Sequence, residues 1–163
     1  WALLNRDHGR TSQNTIQHIG RNSRLDNLMA GFLNVQLFHL KTTINRRLEI
    51  AKLYTKRLGE ISHIVLPSLY ENDNKHEETF QNFEVLALHR NELKKFLYTA
   101  GIGTIIQWGG ISINKIIRYK DNDKLKFKNT NDYFDRCLLL PINTSITNNE
   151  INFVCDKIID FYK

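Results

Sequence analysis

The fold is decided by the stretch Ile19-Gly-Arg-Asn-Ser-Arg-Leu-Asp-Asn-Leu-Met-Ala-Gly-Phe-Leu-Asn-Val-Gln-Leu37. Gly20 frees the backbone, and Ser23 and Asp26 have the S-x-x-D spacing of a helix start. Apolar residues with helical spacing begin at Leu25. The stretch therefore predicts a loop that leads directly into a long amphipathic helix.

Asn22 and Arg24 lie beside the predicted start of this helix. The first N–H groups of a helix have no backbone partner, and the helix dipole places positive charge at this end. An Asn amide can donate two hydrogen bonds, and an Arg guanidinium can bind phosphate through two parallel N–H groups. The pair predicts half of a phosphate site, although the residues alone also allow Asn22 to be a helix cap and Arg24 to be solvated.

The composition is that of a basic chain of 163 residues, with 23 Lys and Arg, 17 Asp and Glu and a net charge of +6. This length suits one domain with a real core, and no stretch approaches the roughly 20 apolar residues of a membrane helix. Cys137 and Cys155 lie in apolar segments without metal-ligand spacing, so we expect two buried thiols and a cytoplasmic location. Neither a catalytic template nor a metal site is predicted.

The densest group of basic residues lies between Lys115 and Lys128 and is interleaved with Tyr119 and Phe127. A solvated loop and an anion-binding surface are both open interpretations of this group. The other basic residues are scattered over predicted helices and match no known nucleic-acid-binding motif. We therefore expect no nucleic-acid partner, with a nucleic-acid-binding module as the alternative.

Apolar residues keep helical spacing from residue 25 to Gly59, which is suited to end the helix. At 1.5 Å per residue this helix would span roughly 50 Å, as expected of a helix that connects two domains. Residue types and spacing then predict three strands and two further helices, and hence an α/β fold. These are strands Ile64–Pro67, Thr79–Leu88 and Thr104–Trp108, a helix over Arg90–Ala100, and a final helix that begins at the capping box Thr147-x-x-Glu150.

Several short motifs follow one another along nearly the whole chain. They are Arg6-Asp7-His8-Gly9, Gly20-x-Asn22-x-Arg24-Leu25-Asp26 with Ala30 and Gln36-Leu37, Arg46-Arg47-x-x-x-Ala51-x-x-Tyr54-x-x-x-Leu58, Arg90-x-Glu92-Leu93-x-x-Phe96-Leu97-x-x-x-Gly101-Ile102, and Leu139-Leu140-Pro141. In this order they resemble the sugar aminotransferases of the DegT/DnrJ/EryC1/StrS family, which use pyridoxal phosphate (PLP). In that family the Schiff-base lysine lies upstream of the His-Gly loop, so the resemblance implies a C-terminal portion only.

The resemblance implies the C-terminal small domain of a type I PLP aminotransferase fold. That fold has a long connecting helix and a small, mostly antiparallel sheet with packed helices. Residues 1–24 would be a loop from the end of the large domain, on the active-site and dimer-interface side. Residues 25–59 would be the connecting helix, and residues 60–163 the small α/β domain.

The same resemblance implies the site residues. Asn22 would reach the PLP phosphate of the neighbouring subunit of a homodimer, and Arg24 would lie near cofactor or substrate phosphates. His8 would lie close to the active site, and four side chains of the small domain, near the ends of two neighbouring strands, would bind substrate. The four are Asn82, Gln107, Trp108 and Asn114. Amides at these positions depart from the histidines of many family members but can still bind sugar hydroxyls or a nucleobase edge.

We therefore expect the C-terminal part of an enzyme that transfers an amino group, from glutamate as the expected donor, to a nucleotide-linked keto sugar. Alone it should be inactive, since it lacks the Schiff-base lysine region. The alternatives are a nucleic-acid-binding module and a regulatory or interaction domain that docks through its long helix.

Overall fold

The structure is a computed structural model, and it describes residues 1–69, 78–112 and 127–163. The chain forms two compact units, Trp1–Lys41 and Thr42–Lys163, called the first and second unit below. The division falls inside one long helix. No helix among the described residues is long and apolar enough to cross a membrane. The functional division at residues 24/25 and 59/60 stays a prediction.

The first unit consists of a short helix, α1 (Ala2–Asn5), a folded loop, and the first part of α2 (Asn27–Leu58). The side chain of Asp26 caps α2, because its Oδ1 accepts a hydrogen bond from the Met29 N–H at 2.8 Å. The helix therefore begins after Asp26, and the expectation that Ser23 marks its start is wrong. A carboxylate at this position also suits the positive end of the helix dipole.

The second unit contains the rest of α2 and a three-stranded sheet with helices on it. Its elements are β1 (Ile64–Val65), β2 (Phe83–Ala87), α3 (Arg90–Thr99), a 3-10 turn (Gln107–Gly110), α4 (Lys128–Arg136), β3 (Cys137–Leu140) and α5 (Asn148–Tyr162). The sheet order is β1-β2-β3, and both pairs are antiparallel. In the register, Phe83 lies opposite Leu140 and Leu86 lies opposite Cys137.

The core of the second unit lies between one face of the sheet and helices α2, α3 and α5. Alternate residues of β2 are buried on this face, as expected of a half-buried strand. The largest fully buried side chains include Tyr54 and Leu58 of α2, Leu97 of α3 and Ile158 of α5. Arg57 adds hydrogen bonds from α2 to Asn152 and Asp156 of α5. Helix α2 is therefore built into this core along its second part.

Most of the predicted elements are confirmed. The long helix, the strands at β1 and β2, the helix α3 and the capping box of α5 are all present, and Thr147 and Glu150 exchange both capping hydrogen bonds. Cys137 and Cys155 are buried free thiols, as expected. The observed strands are shorter than predicted, because β1 covers two residues and β2 five.

The prediction of a strand over Thr104–Trp108 is wrong. Ile105 forms a single antiparallel bridge with Leu139, and the chain then turns, with Trp108 in the left-handed region. Besides β1, the strand that pairs with β2 is β3, which the sequence patterns did not predict. All four residues of β3 are buried, so its sequence lacks the polar alternation by which a strand is recognised.

The hydroxyl of Tyr54 donates a hydrogen bond to the carbonyl of Pro141 at 2.9 Å inside this core. Tyr54→Phe should lower the free energy of unfolding by about 1 kcal/mol, because the partly buried Pro141 carbonyl loses its partner. Urea denaturation measures this difference. Tyr98→Phe is the matched control, because Tyr98 is 77% exposed and its substitution should change stability little. Equal effects of the two substitutions would contradict the assignment.

Candidate functional site

The loop of the first unit is held by a close backbone approach between two glycines. A Cβ at Gly20 would lie 2.2 Å from the backbone nitrogen of Gly9, and a Cβ at Gly9 would lie 1.8 Å from the carbonyl oxygen of His18. Gly9 also has a φ of +74°, in the left-handed region. Only glycine fits at either position, so the glycines predicted to loosen this loop instead let it pack tightly.

Backbone hydrogen bonds join the two sides of the loop. The Arg21 N–H donates to the Asn5 carbonyl at 2.7 Å, and the Ser23 N–H donates to the Arg6 carbonyl at 2.8 Å. Asp7 and Asn22 form an antiparallel bridge between them. Asn22 is therefore fixed by backbone pairing before the helix begins, rather than at the helix start itself.

The Asp7 carboxylate connects the basic side chains of this loop. It accepts hydrogen bonds from Arg10 Nη2 at 3.0 and 3.3 Å, and Arg24 Nη1 lies 3.4 Å from its Oδ1. The hydrogen bond from Arg10 is the largest cause that holds the pKa of Asp7 below its ordinary value, and the charges of Arg10 and Arg24 add to it. Asp7 is thus ionised at neutral pH and anchors both guanidinium groups.

Arg24 and Asn22 are also bonded to each other. Arg24 Nε donates to Asn22 Oδ1 at 3.3 Å, and both side chains are exposed. Because the amide oxygen is occupied by Arg24, the amide nitrogen of Asn22 is the group that remains for a ligand. An amide N–H₂ beside a guanidinium is a donor set for phosphate oxygens.

His8 belongs to the same loop, one residue beyond Asp7. Its backbone is left-handed, with φ of 59°, and its N–H donates to the Arg21 carbonyl at 3.0 Å. The residue is exposed. The structure therefore places four of the loop residues, His8, Asp7, Asn22 and Arg24, side by side within the first unit.

The predicted substrate residues of the second unit lie apart. Asn82 directly precedes β2, whose first residue lies opposite Leu140, whereas the antiparallel bridge of Ile105 with Leu139 places Gln107 beside Cys137. Leu140 and Cys137 are the two ends of β3, separated by roughly 10 Å at 3.4 Å per residue. The expectation that Asn82 and Gln107 lie near the ends of two neighbouring strands is wrong, because β3, and not residues 104–108, pairs with β2.

Trp108 is 77% exposed at the tip of the turn Gln107–Gly110. It has φ of 50°, an unusual conformation for a bulky residue. Such exposure leaves a whole indole face available for contact with a ligand. Asn114 lies outside the described residues, as do Lys115 to Lys126 of the basic group.

Glu84 is a residue of this region that the sequence analysis missed. It is the second residue of β2, opposite Leu139, and its Oε1 is buried without a hydrogen-bond partner. Burial raises the pKa of this carboxyl group above its ordinary value. The signal that could have found it is a charged residue inside the apolar segment that follows Asn82.

A separate groove of about 450 Å³ lies between the end of α3 and the start of α5, lined by residues 101–103, Asn143, Ser145, Glu150 and Phe153 among others. It contains none of the predicted site residues. Among the described ranges, no group of three His, Cys, Asp or Glu is arranged to hold a metal ion.

The fold and the loop together define a class of protein. The sequence matches the DegT/DnrJ/EryC1/StrS aminotransferase family over residues 2–159. The chain belongs to this family. The resemblance that its short motifs indicated is therefore confirmed.

The chain is similar to two curated proteins and to one solved structure, among others. It is 25% identical over 159 residues to a pleiotropic regulatory protein of Geobacillus stearothermophilus, covering 97% of this chain and 42% of that protein. It is 26% identical over 142 residues to a dTDP-4-dehydro-2,3,6-trideoxy-D-glucose 4-aminotransferase of Saccharopolyspora spinosa, covering 87% of this chain and 36% of that protein. The structure matches DesV of S. venezuelae with a TM-score of 0.87 at 23% identity, over 98% of this chain and 43% of that one.

These matches confirm the predicted fold class: the chain has the small-domain fold of this aminotransferase family, with a long helix and an antiparallel sheet. The chain spans about two fifths of the length of the proteins it matches, 42% and 36% of the two relatives and 43% of DesV.

Gly20→Ala should open the loop, since its Cβ would meet the backbone of Gly9. We expect faster hydrogen exchange at the His8 and Arg21 amides, which donate across the loop. Gly31→Ala is the matched control within the same unit, because nothing lies within 4 Å of its Cβ and Ala favours a helix. Unchanged protection of the two amides in Gly20→Ala would contradict the close packing.

Glu84 should make stability fall with rising pH. Its pKa is higher in the folded chain than its ordinary value of 4.5, so folding binds a proton. The contribution of Glu84 protonation to the free energy of unfolding is complete below pH 4.5 and is lost as the pH rises through the raised pKa. Glu84→Gln should remove this slope, so that the unfolding free energies of the two proteins diverge in favour of the variant as the pH rises from 4.5 through the raised pKa. Parallel pH profiles would contradict the assignment.

Proposed function

We propose that the chain is the C-terminal part of a PLP-dependent aminotransferase that acts on a nucleotide-linked keto sugar, with glutamate as amino donor. The proposed location is the cytoplasm, which suits two buried free thiols. The proposed assembly is a homodimer, in which each chain gives residues to the cofactor site of its neighbour. The portion present here is inactive alone in this proposal.

The observation that carries the proposal is the donor set formed by Asn22 and Arg24. The amide nitrogen of Asn22 and the guanidinium of Arg24 are exposed side by side and are oriented by the bonds of Arg24 to Asn22 and Asp7. These groups fit the phosphate of PLP, which needs N–H donors and positive charge. When bound, PLP supplies an electron sink for amino transfer. In this proposal the lysine that anchors PLP lies in the upstream part of the complete polypeptide.

The roles of this chain are binding and orientation. Asn22 donates to a phosphate oxygen, Arg24 balances its charge, and His8 adds a polar contact beside them. Gln107 and Asn82 offer amides to sugar hydroxyls or a nucleobase edge, and Trp108 offers a ring face to the same substrate.

The first part of α2 supports the proposed assembly. Its apolar side chains are exposed in the chain as described, among them Leu28 at 71%, Phe32 at 58% and Phe38 at 85%. A helix face this apolar marks an interaction surface. We propose that the large domain and the partner subunit cover it.

A regulatory or nucleic-acid-binding role is the second candidate, supported by the name of the Geobacillus stearothermophilus relative and by the net charge of +6. Binding of nucleic acid through phosphate contacts falls steeply with salt. A DNA or RNA affinity that drops by orders of magnitude between 50 and 200 mM salt, about 10³ or more for six contacts, would favour this candidate.

Asn22→Ala should weaken PLP binding by the complete polypeptide about 10- to 100-fold, because a hydrogen bond to a charged group is worth about 1.5–3 kcal/mol. Titration followed by the absorbance of the bound cofactor measures the dissociation constant. Arg21→Ala is the control, since Arg21 is exposed in the same loop and its side chain is given no role. Unchanged PLP affinity in Asn22→Ala, or an equal loss in Arg21→Ala, would contradict the role of Asn22.

A further inference from the structure

The turn Gln107–Gly110 holds Trp108 in a strained conformation. Trp108, Gly109 and Gly110 follow one another with φ of 50°, 63° and 74°. Three successive left-handed residues are unusual, and for a tryptophan the left-handed region is unfavourable. Such a conformation persists only where surrounding contacts fix it, and strained residues cluster at functional sites.

The start of the turn is fixed by the neighbouring strand. Ile105 exchanges two backbone hydrogen bonds with Leu139 of β3, at 2.8 and 3.3 Å. Two residues further on, Gln107 lies beside Cys137, the first residue of the same strand. Beyond Gln107 the chain leaves β3, and hydrogen bonds of the turn itself join Gly109 N–H to the Ile106 carbonyl at 3.1 Å and Ile111 N–H to the Trp108 carbonyl at 3.2 Å.

The end of the turn lies against Arg90, the first residue of α3. A Cβ at Gly110 would lie 3.9 Å from Arg90 Nη2, and 3.6 Å from the carbonyl oxygen of Phe134. The Arg90 side chain is almost fully buried, with 8% of the residue exposed. A buried cation is therefore in place where the strained segment ends.

The guanidinium of Arg90 joins the three segments around the turn. Nη1 donates to the carbonyl of Cys137 at 2.8 Å, Nη2 donates to the carbonyl of Phe134 at 3.2 Å, and Nε donates to Asn91 Oδ1 at 2.8 Å. The two carbonyls belong to the end of α4 and the start of β3. A planar fork can reach both at once, whereas a lysine ammonium is a single point charge and reaches them less well.

We propose that Arg90 is a positioning residue that fixes the turn Gln107–Gly110 in the conformation that presents Trp108 to a ligand. Arg90 binds the end of α4 and the start of β3, and these two segments then pack rigidly against Gly110. The importance of Trp108 for substrate rests on the proposed function, but the positioning by Arg90 does not depend on it.

The test is the backbone order of the turn in the unliganded chain, measured as ¹⁵N relaxation order parameters. In the natural sequence the amides of Trp108, Gly109 and Gly110 should be rigid, with order parameters of about 0.85. Arg90→Met keeps the apolar stem but removes every donor, and should lower these three values to below about 0.6. Arg90→Lys should give intermediate values, because it restores the charge but only part of the bonding.

Two controls separate positioning from general loss of stability. Ile158→Val lowers stability through the core, far along the chain from the turn, and should leave the three amides rigid. Lys95→Met changes an exposed cation of the same helix and should also leave them rigid. Rigid turn amides in folded Arg90→Met, or equal loosening in Ile158→Val, would overturn the proposal.

If Arg90→Met does not fold, Arg90→Lys decides the question by the same measurement. Turn amides that become more mobile than the rest of the second unit support the proposal, and amides as rigid as in the natural chain overturn it. No substrate or cofactor enters the measurement. Failure of the positioning role is thereby distinguished from failure of the aminotransferase proposal, which only cofactor binding and amino transfer can show.

Discussion

The burial of the second part of α2 is the constraint on which the small domain depends. Ile50, Ala51, Tyr54 and Leu58 are fully buried on one side of this helix, and the sheet and two other helices close around them. Their burial stabilises the fold by roughly 25 cal/mol for each Å² of apolar surface removed from water. The Tyr54 hydroxyl satisfies the Pro141 carbonyl within the same core, so the polar group beside β3 is not left unpaired.

Local patterns in the sequence predicted the helices well and the sheet poorly. Helix α2 and the capping box of α5 depend on local spacing, which the sequence shows directly. Strand β3 is buried on both faces, so its apolar run lacks alternation. Residues 104–108 have the composition of a strand, but the left-handed Trp108 and the two glycines after it end the pairing at one bridge. In β3 and in residues 104–108 the structure therefore depends on tertiary packing and not on the local sequence pattern.

The candidate site shows a similar division. Asn22 and Arg24 were predicted from their residue types, and the structure shows them bonded to each other. The role of Asp7 could not be predicted from spacing alone, since its contact with Arg24 depends on the fold of the loop and its bridge to Asn22. The separation of Asn82 from Gln107 also follows from strand order, which local patterns do not determine. The first unit thus carries the proposed phosphate donors Asn22 and Arg24, and the second unit carries the exposed ring of Trp108.

The proposed function is amino transfer to a nucleotide-linked keto sugar by the complete polypeptide of which this chain is the C-terminal part. The most direct measurement is nitrogen transfer by the polypeptide translated from the complete reading frame, supplied with PLP, [¹⁵N]glutamate and a dTDP-linked 4-keto sugar. We expect ¹⁵N in the amino group of the sugar product, detected by mass spectrometry, and loss of this signal when the upstream Schiff-base lysine is replaced. Absence of ¹⁵N from the sugar while PLP is bound, or a reading frame without such a lysine, would contradict it.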